Sequence, residues 1–245
     1  MSIENLIPPI IGTTVAELAT LPICTIKTQY QCNLNNRNFS FSNIISNIYT
    51  TQGIKGFYSA SVYAVSTQIV STTSKYFVYQ QIKAHRKTQD YDIKNNILNG
   101  MVSGIIGSTI SHPLDVRKIF KQNNENFSQA YLKSGFWLNY RGYTKTLAKN
   151  IGVSALLFPT YDAFNSHFSN PLIASVLTTL TVTCIIHPID FIKTRQMAGV
   201  KIQLGLNPLN YYRGIHLNLM RVVPHFSIMM WITEKTKYQM KKNKK

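Results

Sequence analysis

The residues of this chain that could do charge chemistry recur as Asp and Lys three apart, behind a proline. "HPLDVRK" sets Asp115 and Lys118 behind Pro113, and "HPIDFIKTR" sets Asp190 and Lys193 behind Pro188. On a helix that spacing places acid and base on one face. What it offers is ion pairing between helices rather than catalysis. A third, weaker copy, "LPICTIKTQ", keeps Lys27 behind Pro22 but has Cys24 where the acid stands. Each proline closes an uncharged or nearly uncharged run: "PPIIGTTVAELAT", "ILNGMVSGIIGSTIS" and "NPLIASVLTTLTVTCII".

These signals belong to a larger repeat. After each proline comes a polar stretch and then an aromatic-basic-glycine signal: "GFYSA", Tyr140-Arg141-Gly142 and Tyr212-Arg213-Gly214. A second long segment follows, ending in "YQQIK", "YDAFN" or "TEKTK". The chain therefore divides into repeats over 1–91, 92–168 and 169–245, each with two long segments. Small residues recur four apart in the odd segments: Gly12 and Ala16; Gly100, Gly104 and Ser108; Ser175, Thr179 and Thr183. That spacing lines small side chains along one helical stripe, as in membrane helix packing. Each segment has roughly the 20 residues that span about 30 Å of hydrocarbon. Proline removes a backbone hydrogen bond and is expected to kink each odd helix. The even segments carry Lys, Arg, Gln and Thr, which accounts for a mean hydropathy of only −0.06 if those residues face a wet cavity. A soluble helical bundle with Ala/Gly faces is the alternative.

Composition narrows the function. Lys and Arg number 26 against 9 Asp and Glu, a formal charge of +17, so the partner is anionic: nucleic acid, a lipid surface or an anionic solute. Charged residues are only 14% of the chain, against about a quarter in soluble domains. A nucleic-acid-binding protein would cluster its cations on one element; here they fall at segment ends and repeat-equivalent positions. Cys24, Cys32 and Cys184 form no CxxC, so neither a disulfide framework nor a zinc site is expected. Nucleotide-binding glycine motifs, a nucleophile elbow and HExxH are all missing from the sequence, so no enzyme activity and no cofactor are expected. His112 and His187 occupy the same place in two repeats, which reads as structural. "MSIENLIPPIIG" carries Glu4 and no Arg, unlike a cleavable transit peptide.

Three copies of Pro-x-Asp/Glu-x-x-Lys/Arg, then aromatic-Arg-Gly, then Tyr/Phe-Asp/Glu-x-x-Lys/Arg, resemble the mitochondrial carrier family across residues 8 to 240. The resemblance implies an all-α membrane protein of six transmembrane helices in a pseudo-threefold bundle, with short amphipathic helices on the matrix side. It implies a monomer of the inner mitochondrial membrane, with both termini on the intermembrane-space side, exchanging solutes by alternating access without ATP hydrolysis. A matrix gate would comprise Cys24, Lys27, Asp115, Lys118, Asp190 and Lys193. Family geometry pairs Asp115 with Lys193 and Asp190 with Lys27, and leaves Lys118 facing Cys24 without a carboxylate. Restoring an acid with Cys24→Asp is then expected to stabilise the closed gate. The opposite gate would pair Asp162 with Lys237, Glu234 with Lys83, and Gln80 with Asn165. Arg141-Gly142 and Arg213-Gly214 match the family's cardiolipin positions; Ser59-Ala60 departs from them.

Counting twelve and thirteen residues back from the second gate gives the family's substrate-contact positions: Thr67 and Gln68, Lys149 and Asn150, and Arg221 and Val222. Lys75 lies one or two turns from Thr67. Glu17, five before Pro22, faces the cavity as a partner for one of these cations. Arg221 is the leading contact, because a guanidinium grips phosphate or carboxylate bidentately. A nucleotide or deoxynucleotide is the expected substrate, with carboxylate, amino acid or phosphate as alternatives. A carrier-like protein that no longer transports, and a basic nucleic-acid-binding helical protein, are the competing readings.

Overall fold

The computed structural model describes residues 6–33, 40–86, 93–168, 171–200 and 207–242, and every regular element among them is helical. α1 (Ile7–Cys32) leads through the short α2 (Phe41–Gln52) and α3 (Ile54–Phe57) to α4 (Ser61–Arg86). α5 (Ile93–Gln122), α6 (Phe127–Ser134), a 3-10 turn (Gly135–Tyr140) and α7 (Tyr143–His167) follow. α8 (Pro171–Ala198), a second 3-10 turn (Pro208–Tyr212) and α9 (Ile215–Lys242) complete the chain.

Local chemistry sets several of these boundaries. Proline stands in the first turn of α1, where its missing N–H leaves no helical bond unmade. The Asn126 side chain accepts from the backbone N–H groups of Ser128 and Gln129 and caps α6. Gly142, at φ 76°, turns the chain into α7 in a left-handed conformation that a Cβ would strain. Pro22, Pro113 and Pro188 lie inside α1, α5 and α8, each of which continues as helix beyond them.

The long helices pack in a closed ring in chain order: α1 on α4, α4 on α5, α5 on α7, α7 on α8, α8 on α9, and α9 back on α1. The proline helices α1, α5 and α8 also touch one another. Close approach is made at Gly12, where a Cβ would strike Thr233 and the Met229 carbonyl of α9, and at Gly107, where it would strike Lys75 of α4. Gly100 and Gly104, read from the sequence as part of the contact stripe, have open space beside them among the described residues. The stripe that packs in α5 runs instead through Gly107, one position round from Ser108.

The interior of the ring is polar and much of its outside is apolar. Glu17, Lys27 and Asp190 are buried, while Val62, Phe77 and Trp231 are exposed. Inward ionisable groups with outward aliphatic and aromatic groups suit a bundle with a wet centre. Two stretches, α1 and Val176–Ala198 of α8, are long and apolar enough to cross a membrane on composition alone. Six such spans were expected; among the described residues these two meet that measure.

Candidate functional site

Glu17 and Cys24 are seven residues apart on α1, two helical turns, and therefore share one stripe. Glu17 is wholly buried and gathers partners from three other helices. Lys118 of α5 forms an ion pair with its Oε1. Arg221 of α9 donates to Oε2 at 2.9 Å, and Gln68 of α4 donates to the same oxygen at 3.2 Å. His225 Nδ1 stands 3.8 Å from it. The expectation that Lys118 has no carboxylate is therefore corrected. Its long flexible stem carries the ammonium to Glu17, because a buried ammonium without a counter-ion is costly.

Asp190 is shared in the same way. Its Oδ2 takes Lys27 Nζ at 2.5 Å, and its Oδ1 takes Lys149 Nζ at 2.5 Å. Lys27 also donates to Asn218 Oδ1 at 2.8 Å. Asp115 and Lys193 stand 3.7 Å apart. Two carboxylates thus each hold one lysine from a proline helix and one cation from α7 or α9. Lys27, Lys118, Lys149, Lys193 and Arg221 outnumber Glu17, Asp115 and Asp190 in this network. Five cations against three carboxylates leave this largely enclosed network with a net positive charge.

Lys149 and Arg221 line one cavity of about 180 Å³. Val153, Val182 and Ile186 form its apolar side, and Thr179 and Thr183 add hydroxyls. Gln68 reaches the site through Glu17. Thr67 is buried on α4, and its hydroxyl makes no hydrogen bond among the described residues. Asn150 is half-buried and does not line the cavity; Val222 does. Lys75 is exposed along the α4–α5 contact. At the opposite end Glu234 and Lys237 are exposed and Gln80 is half-buried. The side chains of Lys83, Asp162 and Asn165 lie outside the described residues, so the pairings expected there have no geometry to report.

The repeated histidines tie the prolines to the loops. His112 Nε2 lies 3.2 Å from the Arg141 carbonyl, and His187 Nε2 lies 3.4 Å from the Arg213 carbonyl. A carbonyl only accepts, so both rings carry their proton on Nε2. The Asn218 amide then donates to His187 Nδ1 at 3.3 Å. The first repeat has Leu21 at the histidine position, wholly buried, and Ser59-Ala60 at the loop. There the Thr25 hydroxyl donates to the Phe57 carbonyl instead, at 2.9 Å.

The basic-glycine pairs differ from each other. Gly199 ends α8 at φ 82°, and a Cβ there would meet the Arg141 guanidinium, which packs directly over it. A cation at that point suits the negative end of the α8 dipole. Arg213 is exposed, and Gly214 is buried against Tyr30. Sequence reasoning missed Asn218 and His225. Asn218 had a faint signal: it stands four after Gly214, where the other repeats have Thr146 and Ala64, all three buried.

Comparison with known proteins follows the same lines. A family model described as mitochondrial carrier protein matches residues 2–90 and 89–172. Mitochondrial carrier-like protein L276 of Acanthamoeba polyphaga mimivirus is 46% identical over 220 residues, 90% of each chain. A mitochondrial coenzyme A transporter of Xenopus tropicalis is 26% identical over 182 residues, 59% of this chain and 55% of the relative. Mitochondrial citrate transporter F of Aspergillus niger is 23% identical over 222 residues, 75% of this chain and 68% of the relative.

Proposed function

Because this chain belongs to the mitochondrial carrier family, whose members move solutes across a membrane rather than transform them, we propose that it exchanges an anionic metabolite, a nucleotide or deoxynucleotide, across the inner mitochondrial membrane. The observation that carries the anion is the excess of five cations, Lys27 buried and the others half-buried, over three carboxylates in the network around the cavity of Lys149 and Arg221. Phosphate oxygens suit those two cations, since a guanidinium and an ammonium can hold adjacent negative groups at once. The apolar wall of Val153, Val182 and Ile186 suits the flat face of a base. Coenzyme A and citrate, named for two relatives, are also multiply charged anions.

In this reading all six long helices span the membrane, and the site is reached from each side in turn. Lys27, Asp115, Lys118, Asp190 and Lys193 close the matrix side. Asp162, Lys237, Glu234 and Lys83, with Gln80 and Asn165, close the other. Both termini face the intermembrane space. Exposed Arg213, beside the buried Gly214 at a helix start, offers cation and backbone N–H groups to a cardiolipin phosphate. The carrier works as a monomer.

The test is uptake into liposomes carrying the purified protein, with labelled nucleotides, deoxynucleotides, carboxylates, amino acids and phosphate offered in turn. Nucleotide or deoxynucleotide uptake that depends on internal anion is expected. Uptake confined to citrate-like carboxylates or amino acids would replace the nucleotide reading.

A further inference from the structure

We infer that Glu17 supplies the carboxylate missing at position 24, so that the proposed matrix gate closes with three acid–lysine pairs, one of them displaced two turns along α1. The inference rests on the gate role proposed above for Asp115, Asp190 and their lysines. Two independent observations carry it.

The first lies in the sequence. Two residues after the repeat proline stand Cys24, Asp115 and Asp190; five residues before it stand Glu17, Ser108 and Thr183. The repeat without an acid at the first place is the one with an acid at the second. The seven-residue separation keeps both places on one helical stripe, so the acid moves along α1 without leaving the face that meets α5.

The second is geometric. Lys118, the repeat counterpart of Lys27 and Lys193, ends on Glu17 Oε1 with its side chain nearly buried. Cys24 packs with Leu21 and Ala64, and a neutral thiol there brings no charge to set against the ammonium. All three gate lysines then have an acid: Asp190 for Lys27, Glu17 for Lys118 and Asp115 for Lys193. The relocated pair differs in one respect. Glu17 also holds Arg221, so this arm of the gate shares its acid with the cavity cation.

The test moves the acid back. Thermal unfolding in detergent, without substrate, is measured for the wild-type chain, Glu17→Gln and Glu17→Gln/Lys118→Gln, and for the last two with Cys24→Asp added. Glu17→Gln strands two half-buried cations and is expected to melt lower by roughly 5 °C or more. Adding Cys24→Asp is expected to recover most of that loss by taking Lys118. Arg221 also lies within the field of position 24, so the gain from Cys24→Asp must vanish when it is made on Glu17→Gln/Lys118→Gln instead of on Glu17→Gln. Should Glu17→Gln alone fail to fold, recovery of folded protein in Glu17→Gln/Cys24→Asp is the expected result. A Glu17→Gln/Cys24→Asp variant that melts no higher than Glu17→Gln, or an equal gain from Cys24→Asp on Glu17→Gln/Lys118→Gln, overturns the inference. The readout needs no substrate, so a failed nucleotide screen would remove the nucleotide reading and leave this result standing.

Discussion

Arg221 reaches into the cavity with one bond to Glu17, a carboxylate it shares with Lys118. Removing it leaves Glu17 with its lysine, so the fold keeps its neutral pair while the cavity loses a guanidinium. Arg221→Ala is therefore expected to cut uptake by at least tenfold, with a melting temperature within a few degrees of wild type. Uptake within threefold of wild type would show that the anion is held elsewhere. Lys149 shares Asp190 with Lys27 in the same manner. Lys149→Ala should lower uptake as well, and Lys149→Arg should restore part of it by keeping the charge. Cys24→Asp on the otherwise native chain is a different case. Lys118 already has its acid, so this variant is expected to melt within about 2 °C of Cys24→Ser, because a surplus ion pair adds roughly 0–1 kcal/mol. A rise well beyond that would mean that Lys118 is left short of charge in the native protein.

At the scale of elements, the histidine before each of two prolines fastens a long helix to the turn that starts the next one. The bond to the Arg141 carbonyl pairs two groups that water reaches poorly, since His112 is fully buried. Losing it costs roughly 1–3 kcal/mol, as for a buried acceptor left unpaired. His112→Leu is expected to lower the melting temperature by several degrees, although leucine fills the same place in the first repeat. There the Arg-Gly loop has changed along with it, so the residue is tolerated only as part of a matched set. A His112→Leu variant as stable as wild type would reduce the histidine to filling space. Gly199→Ala should also destabilise, because φ is positive there and the Arg141 guanidinium occupies the room a methyl needs. A melting temperature unchanged by Gly199→Ala would mean that Arg141 swings away freely.

Across the whole molecule, a closed ring of helices around a cationic centre favours return trips with cargo. On the proposed reading, an empty cavity leaves its cations held by Glu17 and Asp190, whereas a loaded one has an added anion to balance the excess. Uptake is therefore expected to be exchange, independent of ATP hydrolysis, and at least several-fold faster into liposomes loaded with internal anion. Equal rates into loaded and empty liposomes would argue for uniport.

The repeat was legible in the sequence because its signals are local. A proline, an acid and a lysine within six residues fix a helix face, and an arginine-glycine pair marks a helix start. The same local rules revealed the helical elements, the cation excess and the lysines at equivalent places. The partner of Lys118 was not legible. Its acid lies 101 positions away in the chain, two turns from the repeat position, and only the packing of α5 against α1 brings them together. The sharing of Asp190 between Lys27 and Lys149, the joining of His187 to Asn218, and the use of Gly107 rather than Gly104 are likewise decided by contact between helices. Sequence spacing specifies which face of a helix a side chain occupies; which charge it meets across the gap depends on how the faces are brought together. For buried ions that meeting is governed by the cost of leaving any one of them alone.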